Sequence, residues 1–265
     1  MTTILHHIAV AVADIDKAGA AYEAFLGRKA ASSGPGQAYF QLPNMALVLL
    51  APVGGRAERV NAHLAERGES ILGLAFAVPD LAAAEHGLSR RGLKLEKMGD
   101  MLLADPVTTA GVTLSFEEQG GPIIPSAPTA GEDAAVLALD HVVINTPNPD
   151  RALALYGTRI GLDFKLERSN PDWGSKLMFF KAGDPTVEIG SSLRNPAPAD
   201  GPDRATGMAW RVKDPVAAQA RIAAAGFDVS EVRTGRKPGT RVFTIRSGVA
   251  GAPALMLASE GPTDD

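Results

Sequence analysis

The chain writes one structural unit four times, and this repetition limits its possible folds more than any single motif does. Each copy opens with an apolar strand, turns at a Pro or Asp, runs into a helix pattern and continues through three more short strands. The copies begin "LHHIAVAVADIDKAGAAYEAFLG", "ILGLAFAVPDLAAAEHGLSRRG", "LDHVVINTPNPDRALALYGTRIGLDF" and "GMAWRVKDPVAAQARIAAAG". Their spacing is regular: His7 and Gly73 stand 66 residues apart, and so do His141 and Gly207. Equal offsets point to a duplicated pair of units. The plan is therefore α+β, with four βαβββ modules forming two domains of paired curved sheets. The expected domains are residues 1–120 and 136–260, joined by a linker at 121–135. The intervening stretch "EQGGPIIPSAPTAGEDAAV" is rich in Gly, Pro, Ala and Ser and lacks apolar periodicity.

Local signals place the helices. Asp14, Asp80 and Asp214 each follow an apolar strand and offer a side-chain oxygen to the first free N–H groups of a helix. In the third module "TPNPD" serves the same purpose, with prolines suited to a helix start. Gly27, Gly92, Gly161 and Gly226 fall near the expected helix ends.

Strand alternation then sorts the side chains. In "HHIAVAV" the bulky Ile8, Val10 and Val12 share the helix-facing side, and His7, Ala9 and Ala11 share the other. The corresponding faces carry Gly73, Ala75 and Ala77 in the second module and His141, Val143 and Asn145 in the third. In the fourth they carry Gly207, Ala209 and Arg211. Small residues at these positions suggest a hollow that takes a ligand.

Composition removes several alternatives. A net charge of −4 without a dense basic run argues against nucleic acid or anionic membrane as partner. With no cysteine, disulfides, thiolate metal sites and cysteine nucleophiles are excluded, so any metal must be held by His, Asp, Glu or water. The start "MTTILHHIAVAVADIDK" has no basic leader and too short an apolar run to span a bilayer, which reads as a cytoplasmic protein.

Four βαβββ modules with histidine on the first strand of the odd ones resemble the vicinal oxygen chelate superfamily, the glyoxalase/bleomycin-resistance/extradiol-dioxygenase group. "LHHIAVAV" and "LALDHVVI" are similar to its first-strand signature, "GLAFAVPDL" and "GMAWRVKDP" to its second-module opening, and "VEIGSS" to its carboxylate-bearing fourth strand. The likeness covers nearly the whole chain and implies glyoxalase-like domains. In the family's metalloenzymes four strands each present one ligand. Carried over by position, the modules offer His7 with Val48, Gly73 with Ser115, His141 with Glu188, and Gly207 with Met256. Only the third module keeps both ligand types, so the inherited metal set looks incomplete.

His141 and Glu188 are accordingly the first candidates, either as ligands of one divalent metal (Fe, Mn, Zn or Ni) or as a metal-free base with its orienting carboxylate. His7 is read as a polar contact to a ligand or a structural histidine, and His6, His63 and His86 as structural or surface residues. Asn145, Arg211 and Met256 are expected on the second cup. Arg211 either grips a substrate anion or pairs with a carboxylate such as Glu188. Arg236, in the loop "RTGRKPGTRVF", is placed to close over an anion or is a solvated turn residue. Glu117, Glu118 and Asp105 are further donors outside the aligned positions.

Two functions stay open. One is an enzyme acting on a small organic anion or aromatic compound by isomerase, lyase or oxygenase chemistry. The other is a metal-free binding or drug-sequestration protein of the bleomycin-resistance type. The partner is a small molecule in both cases, with the protein a monomer or homodimer.

Overall fold

The computed structural model describes residues 3–120 and 125–259. Positions 121–124 of the expected linker and residue 260 of the second expected domain lie outside the described residues. The first module supplies β1 (Ile4–Ala11), α1 (Ile15–Leu26), β2 (Ser32–Gly34), β3 (Gln37–Gln41) and β4 (Ala46–Leu50), followed by an added helix, α2 (Ala57–Arg67). The second supplies β5 (Ser70–Val78), α3 (Leu81–Arg90), β6 (Leu95–Met98), β7 (Met101–Ala104) and β8 (Leu114–Glu118). The third begins with β9 (Val136–Asn145) and α4 (Pro149–Leu153), which runs into a π-helical stretch at Ala154–Ile160. It ends with β10 (Asp163–Asn170), β11 (Ser175–Lys181) and β12 (Thr186–Ser192). The fourth contains β13 (Arg204–Val212), α5 (Pro215–Ala224), β14 (Arg233–Thr234), β15 (Thr240–Val249) and β16 (Ala252–Ser259).

The helices start where their capping residues are. Asp14 Oδ1 accepts from the backbone N–H of Asp16 and of Lys17, each at 3.0 Å. Asp80 accepts from Ala83 at 2.8 Å, and Asp214 from Val216 at 2.8 Å. In the third module Asn148 does the capping, accepting from Arg151 N at 3.0 Å with Pro149 as the first helical residue. Gly27 and Gly161 close α1 and the π-helical stretch in left-handed conformations, with φ of 66° and 86°.

Hydrogen bonding joins consecutive modules into two eight-stranded curved sheets. One has the order β2-β3-β4-β1-β5-β8-β7-β6 and the other β10-β11-β12-β9-β13-β16-β15-β14. Packing groups the chain differently. One compact unit takes the chain up to Ile8, the second module from Leu72 and the segment His141–Thr206. The other takes Ala9–Ile71, the residues leading to Asp140 and the chain from Gly207.

The core of the first unit includes Phe76 stacked on Phe116 at 6.0 Å and Tyr156 against Phe180 at 6.2 Å. In the second unit Trp210 meets Phe25 edge-on at 5.8 Å, so Trp210 is a core residue, as its helix-facing parity requires. Arg221 reaches the carbonyls of Ala24, Phe25 and Ala134, and Arg28 those of Ser126 and Val136. Each fork satisfies two or three carbonyls at once.

Candidate functional site

Alternation on β1 holds where it was expected: Ile8 and Val10 are fully buried, while His7 and Ala9 are half-buried on the opposite face. β8 lies in parallel register with β5, so Ala75 stands beside Ser115 and Ala77 beside Glu117. β7 adds Leu103 opposite Ser115 and Met101 opposite Glu117. All six side chains therefore share one face of the sheet. The two alanines are buried, and the other four side chains are half-buried around them.

On this unit His6, His7 and Glu117 converge. The His6 Nδ1 atom lies 3.1 Å from Glu117 Oε2, and His7 Nδ1 lies 3.7 Å from Glu117 Oε1. The two Nδ1 atoms are 3.2 Å apart. Among the described residues this is the one cluster of three or more His, Cys, Asp or Glu with all ligand atoms within 4.8 Å of one another. Two donors about 2.1 Å from one ion at a right angle lie roughly 3 Å apart, the size of the His6–His7 and His6–Glu117 separations, while the His7–Glu117 contact is longer and goes to the other carboxylate oxygen. Two imidazoles and a carboxylate are a donor set for Fe, Mn or Zn. On donor type and spacing, the residues fit a divalent metal.

Electrostatics point the same way. Burial pushes the His7 imidazole down to about 4, with Glu117 pulling upward and His6 adding to the drop. His7 is thus neutral at physiological pH, as a metal ligand or a proton acceptor must be. The hydrogen bond from His6 holds the Glu117 carboxyl below its ordinary value, outweighing the opposing effect of burial, and His7 assists.

The second pair lies where the notion of a duplicated module put it. β12 runs parallel to β9 with Thr186 beside His141, so Glu188, two residues on, is the diagonal neighbour on the same face. His141 Nε2 and Glu188 Oε2 are 3.5 Å apart, and each side chain is 16% exposed. Val143 beside Glu188 and Phe179 across from it are half-buried, which leaves this face partly open. Asn145 at the strand's end is exposed and donates from Nδ2 to Thr206 Oγ1 at 3.1 Å. No third His, Asp or Glu joins the pair in such a cluster among the described residues.

Three expected site residues belong to the other unit. Arg211 is half-buried and donates from Nη2 to Leu139 O at 3.2 Å. Arg236 is exposed in the loop between β14 and β15. Met256, expected on the cup wall, is instead a core residue with no exposed surface. It stands in register with Trp210 and Phe243, so the wall positions of β16 are Leu255 and Leu257. The expectation missed by one residue, and one residue reverses the face.

The two even modules carry glycine on the corresponding face of their first strands. A Cβ at Gly73 would stand 2.8 Å from Thr113 O, and one at Gly207 would stand 3.3 Å from Pro253 O. At these two positions the strand lies close to neighbouring backbone, which leaves little room for a side chain. What the sequence reading missed was Glu117 as a partner of both histidines. It had aligned Ser115, two residues earlier on the same face. The doubled His6-His7 and Glu117-Glu118 were the available signals.

A family model described as the glyoxalase/bleomycin resistance protein/dioxygenase superfamily matches residues 6–107 and 140–244. No curated protein sequence matches the chain. Among solved structures, a triple mutant of 4-hydroxymandelate synthase from Streptomyces coelicolor superposes with a TM-score of 0.71 at 14% identity, covering 99% of this chain and 94% of that one. A Mn(II)-bound glyoxalase from Novosphingobium aromaticivorans gives a TM-score of 0.72 at 13% identity, over 98% and 83% of the two chains. A fusion protein of a xylose isomerase-like TIM barrel with 4-hydroxyphenylpyruvate dioxygenase gives 0.67 at 13% identity, over 98% of this chain and 50% of that one. At these identities the likeness shows the fold. No helix among the described residues is long and apolar enough to cross a membrane.

Proposed function

The chain belongs to the glyoxalase/bleomycin resistance protein/dioxygenase superfamily, and we propose that it is a divalent-metal enzyme whose metal is held by His6, His7 and Glu117. The observation that carries this reading is the convergence of three donor atoms within 4.8 Å of one another. A bound divalent ion supplies Lewis acidity to neighbouring oxygens of a small substrate. The protein's residues do the rest. His7, held neutral by burial, presents a lone pair, and Glu117 brings a single negative charge, so a dication held by these residues would keep a net positive charge that favours an anionic substrate. Three protein donors would leave room at such an ion for substrate oxygens. Met101, Leu103 and Ser115 on the same face provide a partly apolar wall for the rest of the molecule. The reaction class this supports is proton transfer, isomerisation, lysis or oxygenation next to two neighbouring oxygens.

His141 and Glu188 are proposed as a second, metal-free polar pair, in which the carboxylate orients the imidazole and the imidazole accepts a proton or contacts a ligand. The test is elemental analysis of protein purified without chelator. About one equivalent of divalent metal per chain is expected in the wild type, lost in Glu117→Ala and retained in Glu188→Ala. Retention in Glu117→Ala with loss in Glu188→Ala moves the metal to the second pair. A metal-free wild type that still binds small ligands returns the chain to the sequestration reading.

A further inference from the structure

A cavity of about 500 Å³ opens in the unit that also carries the histidine–carboxylate cluster. It lies between the β7–β8 loop, the β12–β13 loop and the helix after β9. That volume is within the range usual for small-molecule sites.

The walls are held from behind. Arg151 donates from Nη2 to Gly201 O at 2.7 Å and to Asp203 Oδ1 at 2.6 Å, and from Nη1 to Ala199 O at 3.4 Å. Asp203 is fully buried, and Thr146 Oγ1 donates to the same carboxylate oxygen at 2.6 Å. The backbone N–H of Asp203 donates to Ala110 O at 2.7 Å, which ties the two loops together. Ala110 has a φ of 56°, a left-handed conformation an alanine keeps only where its surroundings enforce it. A Cβ at Gly111 would stand 2.9 Å from Pro202 Cβ, so the loops are in contact there. The helix wall leaves α geometry at Ala154–Ile160, and π-helical segments recur at functional sites.

Two arginines line this cavity in different states. Arg151 is engaged with the loop, as above. The half-buried Arg159 guanidinium has no hydrogen-bond or ion-pair partner among the described residues. The Tyr156 hydroxyl, on the same helical segment, and Asp203 Oδ2 are buried with no hydrogen-bond partner among the described residues, and such atoms call for a small polar group or water.

We infer that this cavity is a second binding site, for a small monocarboxylate forked by the Arg159 guanidinium, with its apolar body on Leu155, Val107, Pro106 and Pro202. A planar guanidinium matches one carboxylate through two parallel hydrogen bonds. Asp200 at the wall disfavours a dianion, which selects carboxylate over phosphate. Val107 is 83% exposed, an apolar surface for the ligand to cover.

The experiment is calorimetric titration of the full chain with benzoate, with benzamide as the neutral isostere. Benzoate binds the wild type at millimolar concentration and benzamide does not. Arg159→Gln weakens benzoate at least tenfold while the thermal midpoint stays put, because the replaced guanidinium holds nothing in the protein. Glu117→Gln binds benzoate as the wild type does, which separates this site from the proposed metal centre. Absence of benzoate binding, equal binding of benzamide, or unchanged affinity in Arg159→Gln overturns the assignment.

Discussion

In the first sheet two imidazoles and a carboxylate converge within 4.8 Å; in the second, one imidazole and one carboxylate face each other at 3.5 Å. Both sheets begin with histidine on the same strand of the same module, and they diverge in where the carboxylate comes from. Glu188 sits on β12, the strand next to β9, within the histidine's own module. Glu117 sits on β8, beyond β5, and arrives from the following module. Beside it on β5 is Ala77, whose methyl leaves the carboxylate room. The register-equivalent positions in the second sheet are Arg211 and Leu257. The second sheet has a cation and a leucine where the first has an alanine and a carboxylate, so no carboxylate reaches its cup from β16. Two like scaffolds thus carry different chemistry, at these positions and also at Asp140, which stands where the first sheet has His6.

The sharpest way to break this comparison is to remove each carboxylate in turn and titrate metal. Glu117→Gln should weaken affinity by at least about a hundredfold, as loss of a direct ligand does, while Glu188→Gln should leave it within a few-fold. Equal effects would erase the distinction. Acid stability is the next largest effect, measured on chelator-treated protein. His7 binds its proton less readily folded, at about 4, than in the unfolded chain near 6.5, so the unfolded state takes up more protons between those values. Stability should therefore rise with pH across that window, by up to about 3 kcal/mol, with this contribution absent below it. Glu117, lowered when folded, adds a loss of the same sign at lower pH. His7→Gln should flatten the upper part of the curve in urea melts.

The glycines offer a third test. Gly73→Ala forces a methyl to 2.8 Å from a carbonyl oxygen and should cost about 2 kcal/mol, whereas Gly207→Ala, at 3.3 Å, should cost less than about 1 kcal/mol. Thermal melts giving the reverse order would contradict the close packing of β5 on Thr113. The smallest expected effect is a gain. Val143 stands in register with Glu188 on the face of His141, so Val143→His adds a third donor there. Weak metal binding at the second pair should appear, about tenfold above the parent by titration. A second pair that stays silent would mean that the donor count is not what separates the two cups.

Much of this was readable along the chain, for local reasons. Asp14, Asp80, Asn148 and Asp214 cap helices through atoms two or three residues away, so their role travels with the sequence. Side-chain parity within β1 and β9 was equally local, and it placed Ile8, Val142 and Ile144 in the core and His7 and His141 outside it. His141 and Glu188 were found together because one module carries both, on neighbouring strands. Parity failed at Met256. The face of that residue is set by its register with Trp210 on β13 and Phe243 on β15, and pairing with a strand distant in the chain is not written in the local pattern.

By itself, then, the sequence determined the modules, their number, their helix boundaries and the faces of their first strands, because each depends on neighbours a few residues away. Only the tertiary structure decided that Glu117 meets His6 and His7. That meeting depends on the register of β8 against β5 and on β5 lying next to β1. The same holds for Arg159, whose helix, written in the third module, lines a cavity with a loop from the second. Register between strands distant in the chain is fixed by packing and backbone hydrogen bonds over the whole sheet, and a slip of one residue turns a ligand into core.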